Sequence, residues 1–278
     1  MLRERIITAV VLLALLLPAL FADSAWPFAV LTLVLIAAAG WEWGRLNGAG
    51  SQLALAMGAV VGIGCTAALI AGWPQHAPAA AWWMATLVWV AGGFYALRAG
   101  PPAWPRLPLG ARWVLGLVAL WAAWLAIGHA RLVGINFILS VFCLVWVADI
   151  AAYFGGRALG RRKLALSISP GKSWEGVWCG MAAVMVVGVL WAAADSRMSL
   201  DSPSVFTSLW QSLGVFGAGL AVAALVGMGV VGDLLESLVK RACGAKDSSG
   251  LLPGHGGVLD RVDALLPVFP IALALTRL

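Results

Sequence analysis

VGINFILSVFCLVWVADIAAYF, residues 133–154, holds a single charged side chain, Asp149, in an otherwise apolar run. About twenty such residues, rising 1.5 Å each as a helix, cross a ~30 Å hydrocarbon core. A lone carboxylate inside that helix costs about 2.5–3.5 kcal/mol on insertion scales, so it belongs against a polar interior and is functional by default. The plainer alternative pairs Asp149 with a loop arginine such as Arg157. The stretch therefore predicts both a membrane span and a polar site built into it.

Runs of the same kind recur along the whole chain. Hydrophobic residues make up 62% and charged residues 11%, and the mean hydropathy is +0.96, far from soluble usage of about a quarter charged. Approximate spans are 6–22, 26–46, 51–72, 79–97, 112–130, 133–154, 174–194, 207–231 and 259–276. They leave no room for a soluble domain and predict an all-α polytopic membrane protein with nine transmembrane helices.

Lysine and arginine collect on the cytoplasmic side of membrane proteins, which tests that division. With the N-terminus cytoplasmic, Arg3, Arg5, Arg45, Arg98, Arg106, Arg112, Arg157, Arg161, Arg162, Lys163, Lys172, Lys240, Arg241, Lys246 and Arg261 all fall inside. Only Arg131, Arg197 and Arg277 fall outside. The net charge of +6 is thus topological; it implies no nucleic-acid partner and leaves some surplus for anionic substrates. The first 25 residues resemble a signal peptide, but a second span follows at once, so they are read as a retained first helix.

Residues 1–130 read as scaffold and 131–278 as the catalytic half, with cytoplasmic loops at 155–173 and 241–258. In the scaffold, Trp41 and Trp43 look like interfacial anchors, Glu42 is expected to pair with Arg45 at i, i+3, and His76 and His129 fall in solvated outer loops. Cys65, Cys143, Cys179 and Cys243 show no metal or disulfide spacing and read as packing residues.

The polar residues gather in the second half. In SISPGKSWEG, residues 167–176, the GKS suggests a P-loop, but that motif needs a glycine at position 166, where Leu166 stands. What remains is an anion site: Ser173 caps the next helix, and Gly171, Lys172 and Ser173 bring amides and an ammonium to its N-terminus. In VVGDLLESLVKRACGAKD, residues 230–247, Asp233, Ser237 and Lys240 share one helix face with Glu236 beside them. The glycine loop LLPGHGG follows, and Asp260, Arg261 and Asp263 open the last helix, the two aspartates on one face. A solvated helix end is the ordinary reading of such charges. Carboxylates and cations held together on two helices beside a glycine loop read instead as a divalent-metal and phosphate site.

These residues resemble the signature of the phosphatidate cytidylyltransferases, the CDP-diacylglycerol synthases. The likeness runs from Ser237 through Lys240, Arg241, Lys246 and Asp247 to LPGHGGVLDRVD at 252–263, and upstream to GDLLES at 232–237, SPGKSWEG at 169–176 and Asp149. Ile150, and the order Ser249 then Gly250, depart from the family pattern. The resemblance implies a membrane enzyme, commonly a homodimer, that joins CTP and phosphatidic acid into CDP-diacylglycerol and pyrophosphate with Mg²⁺ and a monovalent cation such as K⁺. It implies Asp233 and Asp260 as metal-binding carboxylates, with Asp263 and Asp247 close behind. Lys172, Lys240, Arg241, Lys246 and Arg261 become candidate phosphate contacts. Ser173, Ser237, Asp149 and His255 line the substrates, His255 as a loop or phosphate-binding residue rather than a base, because an anionic lipid phosphate needs none. Two rivals are a transporter of an anionic phosphorylated substrate, which should carry polar residues at the midplane, and a CDP-alcohol phosphotransferase, whose DGxxAR arrangement is missing.

Overall fold

In the computed structural model the described residues are 2–277. The side chains of Leu2, Arg3 and Arg5 lie outside them, and with those the expected placement of Arg3 and Arg5. The chain forms α1 (Leu2–Phe21), α2 (Trp26–Leu46), α3 (Ser51–Ile70), a short α4 (Trp73–His76), α5 (Ala79–Ala99) and a 3-10 helix (Pro101–Arg106). Then follow α6 (Leu109–Val133), α7 (Ile135–Leu159), strands β1 (Lys163–Ala165) and β2 (Ser169–Ser173), α8 (Trp174–Asp195), α9 (Val205–Ala242), α10 (Leu259–Val262) and α11 (Leu265–Leu275).

Each predicted span falls on helix, and among the described residues seven helices, α2, α3 and α5 to α9, are long and apolar enough to cross a bilayer. The first and last spans are shorter. The apolar part of α1 is Ile6–Phe21. The last span divides where Asp263 and Ala264 separate α10 from α11, and eleven residues make only about 16 Å of helix. Those eleven are nevertheless the centre of the molecule: from Leu265 to Ala274 every residue is buried, and α11 packs on α5, α6, α7 and α9. Around this centre Ile63, Leu87, Val189 and Phe216 are turned outward, as a chain solvated by lipid permits.

Two close approaches set the geometry of the second half of the chain. Along α8, a Cβ at Gly176 would lie 2.7 Å from the Ala152 carbonyl oxygen and one at Gly180 2.9 Å from that of Ala148. Small residues four apart thus seat α8 directly on the α7 backbone. On α9, a Cβ at Gly232 would meet the Asp263 carbonyl oxygen and Pro267, so only glycine lets α9 press against the α10–α11 turn. Gly232→Ala is therefore expected to cost about 1–3 kcal/mol, read as a lowered thermal unfolding midpoint in detergent. α9 itself is broken at Gly214, where φ is 66°, and beyond that break runs as one helix through the expected span end to Ala242.

Two local expectations need correction. The loop expected at 155–173 is shorter and partly ordered: α7 runs on to Leu159, and 163–173 forms a short antiparallel hairpin, with Lys163 opposite Ser173 and Ala165 opposite Ser169. His129 is not solvated: it lies within α6, 6% exposed, where its ring nitrogens meet the Pro74 carbonyl and the Arg277 guanidinium. Burial inside a helix end forces such a ring to find polar partners. His76 is exposed as expected, with Nδ1 2.9 Å from the Gly72 carbonyl. All four cysteines are free.

Candidate active site

The hairpin and α9 meet first. Ser173 closes β2 and starts α8, its hydroxyl accepting the Gly176 N–H at 3.2 Å, the cap the sequence suggests. The preceding residue, Lys172, is thereby aimed at α9, where its Nζ lies 2.5 Å from Asp233 Oδ2. The other carboxylate oxygen accepts the Ser237 hydroxyl at 3.3 Å, one turn on. Both members of the pair remain accessible, at 26% and 31%, so an incoming anion can reach the lysine. Lys172, Asp233 and Arg261 all act electrostatically on Asp149, and Asp149 does not pair with Arg157 among the ion pairs of the described residues. Asp263, between α10 and α11, accepts the Ala264 N–H at 2.8 Å and lies within electrostatic range of Asp233, Lys172 and Asp149. Of these four groups Lys172 and Asp233 are in direct contact, with Asp149 on α7 and Asp263 before α11 within electrostatic range of them.

A second cluster lies one turn further along α9. Lys240 Nζ sits 2.5 Å from Asp260 Oδ1 and also pairs with Glu236 Oε2. The Lys240 and Asp260 side chains are only 11% and 7% exposed. Asp260 Oδ2 accepts three further hydrogen bonds, from Gly257 N at 2.7 Å, Ser248 N at 2.9 Å and the Ser248 hydroxyl at 2.9 Å. Asp260 is thus the hub around which the glycine loop folds. Gly256 at φ 83° and Gly254 at φ 74° turn the chain inward there, a region that side chains with a Cβ avoid.

The remaining candidates divide between holding the loops and facing solvent. Arg241 donates to the carbonyls of Ile168 and Ala245 at 3.3 and 3.2 Å, tying the hairpin tip to the end of α9. Arg261 donates to the His255 carbonyl at 3.1 and 2.7 Å, which gives His255 a place in the loop by its backbone. Lys246 and Asp247 are exposed. Two cavities, of 710 and 540 Å³, lie away from these clusters, one lined by Asp195, Asp201 and Gln211 and the other between α2 and α3.

One participant escapes a sequence reading. Glu42, on α2, is fully buried and takes four hydrogen bonds from the loop and the start of α10: from Ser249 Oγ at 2.6 Å, Leu259 N at 2.7 Å, Val258 N at 2.9 Å and Ser248 Oγ at 3.1 Å. It does not pair with Arg45, whose guanidinium lies over the Trp41 ring. The donors stand more than 200 residues away, and the nearby Arg45 offers a satisfying local partner. The available signal is a carboxylate set inside an apolar span, the same signal that marks Asp149.

Mg²⁺ prefers hard oxygen ligands and takes only one or two protein carboxylates, completing its shell with water and phosphate oxygens. Accessible Asp233, with Asp263 and Asp149 near it, suits that demand; Asp260 is already occupied by four donors. Among the described residues no three His, Cys, Asp or Glu side chains gather at metal-holding distance. The donor set therefore fits an ion that shares its shell with a substrate, not one caged by protein alone.

A family model described as the cytidylyltransferase family matches residues 3–278. The chain is similar to a protein from Pseudomonas aeruginosa named phosphatidate cytidylyltransferase, 38% identical over 289 residues that cover 99% of this chain and 97% of that one. A Haemophilus influenzae protein of the same name is 44% identical over 137 residues, 49% of this chain and 44% of its own length. Phosphatidate cytidylyltransferase 5, chloroplastic, of Arabidopsis thaliana is 36% identical over 177 residues, 63% of this chain and 36% of its own. With the match spanning nearly the whole sequence, and the acid–lysine clusters in place, this chain belongs to the cytidylyltransferase family.

Proposed function

We propose that the chain joins CTP to phosphatidic acid, forming CDP-diacylglycerol and releasing pyrophosphate. The observation that carries this is the pair of acid–lysine contacts along one helix, Lys172 with accessible Asp233 and Lys240 with Asp260, with Asp149 and Asp263 within electrostatic range of the first. It brings fixed cations and metal-type acceptors together where two anions would have to meet. A phosphate monoester has a second pKa near 6, so the lipid phosphate arrives as a nucleophile and needs no base. One of its oxygens forms a bond to the α-phosphorus of CTP while the bond to the bridging oxygen breaks and its electrons leave with pyrophosphate. The barrier is repulsion and orientation, which positioned charges lower without proton transfer.

In this scheme Lys172 turns from Asp233 toward a phosphate as substrate enters, and exposed Lys246 and Arg261 add positive charge. Ser173, Ser237, Asp247 and His255 line the substrates. Asp233 and Asp263 would hold Mg²⁺, which when bound neutralises phosphate charge, and Asp260 would join them only by giving up the Lys240 ammonium on its Oδ1; a K⁺ ion would assist. Lys240 and Arg241 keep the hub and the hairpin in place. Asp149 lies on the α7 face that carries outward-turned Trp146 and Tyr153 at i−3 and i+4, which supports entry of phosphatidate sideways from the bilayer.

The proposal extends to topology. All nine predicted spans are membrane-embedded, α11 within the bundle, the N-terminus is cytoplasmic, and the clusters face the cytoplasm from the inner membrane; the protein is a homodimer. Residues 1–130 support the catalytic half. The test is an omission assay on purified protein in phosphatidate vesicles. Pyrophosphate should appear with CTP, phosphatidate and Mg²⁺ together and vanish when any one is left out. Release indifferent to phosphatidate would sink the proposal, and CTP or lipid phosphate moving across the vesicle wall without release would favour transport.

A further inference from the structure

We propose that Glu42 is a positioning residue for this reaction, acting from α2 through the loop at 248–259 on Asp260. The inference rests on the cytidylyl-transfer reading above and deepens it. Val258 and Leu259 present the first amides of α10, and no local side chain caps them; Glu42 receives both, one on each carboxylate oxygen. The same two oxygens receive the hydroxyls of Ser249 and Ser248. Ser248 is the link: its hydroxyl lies 3.1 Å from Glu42 Oε2 and 2.9 Å from Asp260 Oδ2, so one proton is shared between two carboxylates, and its own N–H also donates to Asp260.

Asp260 is accordingly fixed from two directions, by Lys240 on α9 and by the loop that Glu42 shapes from α2. Gly257 has no room for a Cβ, which would collide with Ser248 Oγ and Glu42 Oε1. A carboxylate holding four donors, with no cation beside it among the ion pairs of the described residues, is suited to organising a chain segment. Its oxygens are spent on amides and hydroxyls, so it acts on reactants only through Asp260.

Glu42→Gln keeps the shape but can offer only one of its two terminal atoms as an acceptor. Measured on the full-length protein in vesicles, the variant should lose about 10–100-fold in kcat, the range for residues that orient a site's ligands. KM for CTP should stay within about threefold, because the exposed lysines remain. Hydrogen–deuterium exchange should show faster exchange confined to residues 247–260, with α3 and α11 still protected. Ser249→Ala removes one donor to Glu42 and no contact to Asp260; it should lower kcat more mildly and add almost nothing on top of Glu42→Gln, since both changes act through one contact. Wild-type kcat in Glu42→Gln, or unchanged exchange at 247–260, overturns the inference while leaving the activity standing. If Glu42→Gln fails to fold, Ser249→Ala decides: unaltered kcat and unaltered exchange overturn it. Wild-type protein without turnover overturns the functional reading itself.

Discussion

Asp233→Asn is expected to remove nearly all phosphatidate-dependent CTP turnover, by about 10²–10⁴-fold, while the unfolding temperature hardly moves. The asymmetry follows from where the residue sits. Asparagine can keep its one amide oxygen toward Lys172 and donate its NH₂ to the Ser237 hydroxyl, which accepts as readily as it donates, so both neighbours of Asp233 at 2.5 and 3.3 Å keep a polar partner. What disappears is the negative charge. Because the pair with Lys172 is roughly a quarter to a third exposed, that charge contributes only about 0–1 kcal/mol to folding. Its value lies in holding a cation and in keeping Lys172 poised until a phosphate competes for it. Steady-state turnover and thermal unfolding of the same preparation check both halves; a variant that keeps turnover removes Asp233 from the chemistry.

Asp260→Asn should lose at least about 100-fold in turnover and also destabilise the protein by about 2–5 kcal/mol. Here the carboxylate serves Lys240 with one oxygen and three donors from Ser248 and Gly257 with the other. An amide cannot do both. Turned one way, its NH₂ confronts the loop N–H groups; turned the other, it confronts the Lys240 ammonium. The site is nearly sealed, so neither mismatch is relieved by water. A fall in activity with an unchanged unfolding midpoint would show that the Asp260 hub does not hold the loop together.

The contrast between these residues bears on what a sequence can disclose. The membrane spans are legible because apolar runs of bilayer length leave few alternatives, and the Asp233, Ser237, Lys240 face is legible because helical spacing is local. The division between α10 and α11 is less so: Asp263 and Ala264 keep helical φ and ψ, and the close seat of Gly232 on the Asp263 carbonyl is a contact between segments some thirty residues apart. The hairpin at 163–173 is missed because three- and five-residue strands carry too little pattern to stand out in a basic loop. His129 and Glu42 fail for one reason: the partners that settle them, Arg277 and the 248–259 loop, are 148 and more than 200 residues away. In both places a polar group sits inside an apolar helix, which announces that a partner exists without naming it.

The central claim is that this site bonds a lipid phosphate to the α-phosphorus of CTP. The direct measurement follows two labels in CTP through one incubation of purified protein with phosphatidate vesicles and Mg²⁺. Label at the α-phosphorus should move into the lipid fraction, and label at the γ-phosphorus should appear in equal amount as pyrophosphate. Label remaining wholly in water-soluble nucleotides, with folded wild-type protein and both substrates present, would contradict the account.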